Sequence, residues 1–91
     1  RGVEADPEKA AGWCLAAARA GHAPAQLLLA TLYALGNGVA IDEVTAAAWL
    51  IVAAKSGFPP AVKARDGLLP NLPPETRTKA EALSKTLGKT N

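Results

Sequence analysis

GNGVAIDEVTAAAWLIVAAKSG, residues 36–57, is the stretch whose reading decides the fold. It opens on Gly36-Asn37-Gly38, a turn in which glycine accepts a positive φ without steric cost. Asp42 stands where an N-cap carboxylate accepts the free N–H groups of a helix start. An alanine-rich run with one tryptophan follows, and Gly57 suits the left-handed residue just past a helix end. The stretch therefore predicts a turn, a capped helix over about 42–56 and a stop.

A degraded copy of this pattern opens the chain. With an offset of 36 residues, 12 of 36 positions are identical, among them Gly2/Gly38, Val3/Val39, Asp6/Asp42, Trp13/Trp49, Gly21/Gly57 and Pro24/Pro60. Alanine bias accounts for part of this agreement, but not for glycine, aspartate and tryptophan matching in one register. A period in this range marks stacked helical hairpins. Neither member of such a hairpin buries its apolar face alone. Paired alanines let neighbouring helices approach closely, and tryptophan fills the space between them.

Working outward, Asp6-Pro7-Glu8 starts a first helix, which ends near Ala20 before Gly21. Its expected face is Ala10, Trp13, Ala17 and Ala20, with Cys14 and Ala18 beside it. Pro24 leads a second helix through Leu28, Leu29, Leu32, Tyr33 and Leu35, ended by Gly36. Val39 and Ile41 are expected to tuck inward. Pro59-Pro60 starts a shorter, more polar fourth helix through Val62, Ala64 and Leu68. Pro70-Asn71-Leu72-Pro73-Pro74 reads as a stiff linker that an α-helix cannot cross. A fifth helix follows from Pro74 with a stripe of Ala80, Leu83 and Leu87. Lys89-Thr90-Asn91 is expected to fray. No period-two run predicts a strand.

These residues resemble the Sel-one-like repeat (SLR), a relative of the tetratricopeptide repeat. Ala25, Leu29, Tyr33, Gly36, Gly38, Val39, Asp42, Ala46, Trp49, Ala53, Ala54, Gly57 and Ala61 fall on that family's pattern. Ala30 and Thr45 depart from it, as do Asp66 and Leu69 in the fourth helix. The resemblance implies an all-α fold of about five helices, with antiparallel helix-hairpin repeats stacked as a right-handed superhelix (solenoid). The whole of 1–91 is then one repeat domain. Residues 2–21 are the second half of a repeat, 22–57 a complete repeat, 58–72 a degenerate half repeat and 73–91 a capping helix.

Composition sets the energetic terms. Of 91 residues 21 are alanine, so the few large side chains must supply most of the burial. Trp13 and Trp49 are both expected in the core. Net charge is +2, unevenly spread. Between Gly21 and Ala54 the formal charges are Asp42 and Glu43 alone, whereas Lys55 onward holds seven basic and three acidic residues. A solvated face explains that excess better than nucleic acid does. No apolar run reaches the length of a membrane span. The absence of methionine and the start at Arg1 read as a piece excised from a longer protein.

No arrangement carries a catalytic, cofactor or metal assignment. Cys14 is the only cysteine and reads as a small buried hydrophobe. His22 has no second His or Cys at ligand spacing. Asp6, Asp42 and Glu43 read as caps and dipole charges. Gly36-x-Gly38 lacks the rest of a phosphate loop and follows a helix. The resemblance implies a non-catalytic scaffold or adaptor that holds a protein or peptide partner in a concave groove lined by the first helix of each repeat. There Gln26, Leu27, Thr31 and Ala34 are free of the pattern and share a face. Leu27, Thr31 and Ala34, with Lys63 at the edge, are the candidate protein-binding residues. Residues 7–20 would leave an apolar stripe bare and able to self-associate. Two other readings stay open: an accessory or regulatory module of a larger enzyme or signalling protein, and acidic-ligand or nucleic-acid binding through the basic half. The compartment, bacterial cytoplasm or periplasm, stays open too.

Overall fold

The computed structural model describes residues 6–88; the expectations for Gly2-Val3 and for Lys89-Thr90-Asn91 lie outside them. The chain is all-α, a succession of helix hairpins. The helices are α1 (Pro7–Arg19), α2 (Ala23–Leu35), α3 (Glu43–Lys55), α4 (Pro59–Leu68) and α5 (Pro74–Leu87). No strand is present among the described residues.

Local chemistry sets the boundaries. Asp6 accepts from the N–H groups of Glu8 and Lys9 at 3.2 and 3.3 Å. Its repeat mate Asp42 makes the better cap, taking the Thr45 N–H at 3.0 Å and the Thr45 hydroxyl at 2.8 Å. Those two bonds, with a third from the Val44 N–H, favour the carboxylate and lower the Asp42 pKa; partial burial opposes them. Gly36 closes α2 at φ +71°, in the left-handed region. A Cβ there would lie 2.5 Å from Ile41 Cγ1, so both backbone and space demand glycine. Ile41 rests on Gly36 rather than tucking inward, and is 65% exposed. The proline-rich linker, expected to be stiff, interrupts the α-helices and holds a short turn of its own. A 3-10 turn, Leu69–Asn71, takes up the chain between α4 and α5, with Pro70 in its opening positions, where its missing N–H costs nothing.

The core is centred on α3, which packs against α2, α4 and α5. Every residue from Ala46 to Ile51 is buried, which a helix with a single covered face could not achieve. One cluster joins Trp49, Leu50, Ala53 and Ala54 to Leu29, Ala30 and Leu32 of α2 and to Ala11 and Ala18 of α1. A second joins Ala47 and Ile51 to Ala80 of α5. Helix α5 runs alongside α3 in the same direction, because Ala80 meets its middle and Ser84 and Gly88 lie by Val52 and Ser56. Among the described residues eleven of the sixteen buried apolar ones are alanine, so Trp49 is by far the largest single contributor there.

Helix α1 overturns part of the expectation. Trp13 is 77% exposed, although its repeat mate Trp49 is 2% exposed. Helix α1 packs on α2 through Ala11, Cys14, Leu15 and Ala18, and leaves Ala10, Trp13 and Ala20 outward. The physical reason is the missing neighbour. Trp49 is covered because α2 lies against α3, and among the described residues no helix holds the matching place against α1. Cys14 is accordingly half-buried rather than enclosed.

Candidate protein-binding surface

Helices α2 and α4 stand on either side of α3, and the space between them is a groove. One wall is Leu27, Ala30, Thr31 and Ala34; the other is Ala64 and Leu68; Ala46 and Leu50 form the floor. The i, i+4, i+7 spacing of Leu27, Thr31 and Ala34 sets all three on one side of α2. No charged side chain lines the groove, and alanines keep its walls low. Its volume is about 110 Å³. That is below the ~300–1,000 Å³ of a small-molecule site and suited to side chains of a docked segment. The Thr31 hydroxyl is turned back onto its own helix, donating to the Leu27 carbonyl at 3.1 Å, so the wall presents mainly its methyl group.

The structure places the remaining candidates elsewhere. Lys63 is exposed on α4 but does not line the groove. Gln26, grouped with the groove from the sequence, is buried at 5% exposure. Its Nε2 donates to the Ala18 carbonyl at 2.9 Å, tying the end of α1 to the start of α2. Its Oε1 has no partner. Ala64 and Leu68 were read from the sequence as apolar positions of the fourth helix but not as groove residues. Their i, i+4 spacing on an otherwise polar helix was the signal available.

Among the described residues part of the basic half's charge is paired, and Lys55, Arg65 and Lys85 share one surface cleft with Glu81. Arg65 pairs with Asp66 at 3.2 Å and Lys79 with Glu75 at 3.9 Å. Lys55 and Lys85 flank an open cleft between α3 and α5. Each sits in the last turn of its helix, where a cation complements the dipole. Among the described residues no cluster of His, Cys, Asp and Glu could hold a metal ion. No described helix is long and apolar enough to cross a membrane.

A second concavity opens beside Trp13, lined also by Cys14, Ala17, His22, Pro24, Ala25 and Leu28. Leu28 is 49% exposed, so the apolar patch spans both α1 and α2.

The Sel1 repeat family model matches residues 1–22 and 23–58. A comparison with curated proteins finds no match.

Proposed function

The chain belongs to the Sel1 repeat family, and from that premise we propose that it is a non-catalytic module holding a protein or peptide segment in the groove between α2 and α4. Repeats of this family are in general protein-interaction modules and typically lack catalysis. The observation that carries the reading is the uncharged groove itself, walled by Leu27, Thr31 and Ala34 on one side and Ala64 and Leu68 on the other. Its chemistry favours an apolar side chain of a partner seated over alanine, with the α-helical scaffold held rigid beneath it. Lys63, at the outer edge of α4, supplies an acidic neighbour of that side chain with a screened, weak partner.

The test is a pull-down with the tagged chain beside Ala34→Arg/Ala64→Arg. Both positions are exposed, so the arginines obstruct the groove without entering the core. Equal helicity by circular dichroism is the control. A partner retained by the parent chain and lost by the variant is the expected result. A partner retained equally by both removes the groove from the interface.

A further inference from the structure

Helices α4 and α5 both pack closely on α3 but, among the described residues, not on each other. The gap between them is a trough with α3 as its floor. Its sections run into one another through shared walls. Lys55, Ser84 and Lys85 bound the first two, and Arg65, Leu69 and Glu81 bound the second and third. Asp66 and Leu69, on the α4 wall, are positions at which the chain departs from the repeat pattern, so the trough is a feature of this chain rather than of the family. Its smallest section holds about 320 Å³, against 110 Å³ in the α2–α4 groove, which leaves room for a peptide backbone as well as side chains.

The charges fall into two groups. At the α4 end they are committed: Arg65 pairs with Asp66 at 3.2 Å, and Arg77 Nη1 donates to the Leu69 carbonyl at 3.4 Å. At the other end Lys55 and Lys85 are exposed and, among the described residues, neither has an ion-pair partner. The neighbouring hydroxyls are occupied: Ser56 donates to the Ala53 carbonyl and Ser84 to the Glu81 carbonyl, each at 2.7 Å. Recognition of an anion there falls to the two ammonium groups. Ile51 and Leu69 supply apolar surface in the middle section. We propose that the trough docks an extended acidic segment of a partner protein, with a carboxylate held by Lys55 and Lys85 and an apolar side chain laid over Ile51 and Leu69.

Length and charge select a peptide. Lys85 lies eight residues beyond Arg77 on α5, ~12 Å at 1.5 Å per residue, and about four extended residues span that distance. Along the trough Lys55, Arg65, Arg77 and Lys85 face two carboxylates, Asp66 and Glu81. A nucleic-acid strand would bring its regularly spaced phosphates against those carboxylates. It would also meet the carbonyl ends of α3 and α5, where the two lysines stand. A peptide avoids the repulsion by placing its acid at the lysines and its apolar residue beside Glu81.

The test uses a fluorescein-labelled peptide of alternating glutamate and leucine, titrated with the chain at low ionic strength and followed by fluorescence anisotropy. Lys55→Glu/Lys85→Glu reverses the two unpaired charges. Lys9→Glu/Lys79→Glu makes the same change in net charge at exposed positions outside the trough. Circular dichroism checks that each variant keeps its helices. The parent chain should bind, the first variant should lose about tenfold or more in affinity, equivalent to ~1.4 kcal/mol, and the second should change by less than about twofold. Lys55→Gln/Lys85→Gln, which removes the charges without reversing them, should also weaken binding and serves if the reversal unfolds the chain. No binding by the parent would overturn the proposal, as would equal loss in the two charge-matched variants. A homopyrimidine DNA strand that binds more tightly than the peptide, and is lost in Lys55→Glu/Lys85→Glu, would overturn it in favour of nucleic acid. The inference stands apart from the α2–α4 groove, and Ala34→Arg/Ala64→Arg should leave peptide binding intact.

Discussion

Trp13 and Trp49 occupy one repeat position and should differ widely in what they contribute to stability. A fully buried tryptophan removes on the order of 200 Å² from water, about 5 kcal/mol at 25 cal/mol per Å². Trp49, 2% exposed, realises nearly all of this. Trp13, 77% exposed, realises about a quarter, or ~1 kcal/mol. Trp49→Ala also leaves a cavity amid Leu29, Leu50 and Ala53, and is expected to cost ~3–5 kcal/mol. That is a large part of the ~5–14 kcal/mol available to 91 residues. Trp13→Ala should cost ~1 kcal/mol or less. The assay is urea unfolding of the dilute chain followed by far-ultraviolet circular dichroism, with intrinsic fluorescence recorded on each variant. The Trp13→Ala variant should emit as a buried indole, resistant to acrylamide; the Trp49→Ala variant, where it stays folded, should emit as an exposed one. Equal loss of stability in the two variants would refute the claim that neighbouring helices, rather than repeat position, determine burial.

Two further outcomes follow from the caps and the buried amide. Asp42→Ala should destabilise α3 by about 1–2 kcal/mol. Because the folded-state pKa of Asp42 is lowered, its contribution is complete above the unfolded value of ~3.9 and is lost as pH falls through the folded value. The gap between parent and Asp42→Ala in urea midpoint should therefore close in acid, and a gap that persists well below that range would contradict the assignment. Gln26→Glu should cost about 3 kcal/mol or more at neutral pH, since it replaces the donor to Ala18 with a buried acceptor charge. The raised folded-state pKa of that glutamate means the loss relaxes on acidification, as the protonated carboxyl regains a donor. Gln26→Met, which also removes the orphaned Oε1, should cost only about 1 kcal/mol, and thermal melts at two pH values check both variants.

Much of the architecture was legible in short-range chemistry. Asp6, Asp42, the glycine stops and the prolines at helix starts act through bonds and sterics within four or five residues. The helix spans and the repeat register therefore followed from the sequence. The groove was half legible: Leu27, Thr31 and Ala34 share a side of α2 by spacing alone. Ala64 and Leu68 complete it because of how α4 packs across α3, and no local rule reports that. Gln26 shows the same limit. Its position in the pattern is on the groove side of α2, yet its amide turns to the end of α1, where a carbonyl is in reach.

The internal repeat separates what sequence decides from what tertiary structure decides. The sequence by itself determined that α1 and α3 are the same kind of helix, with the same cap, alanine pairs, tryptophan and stop. Only the tertiary structure decided that one became the centre of the core and the other kept an open face. Helix formation and capping are set by groups a few bonds apart. Burial is set by which helices lie alongside: among the described residues α3 packs closely on α2, α4 and α5, whereas α1 packs closely on α2 alone.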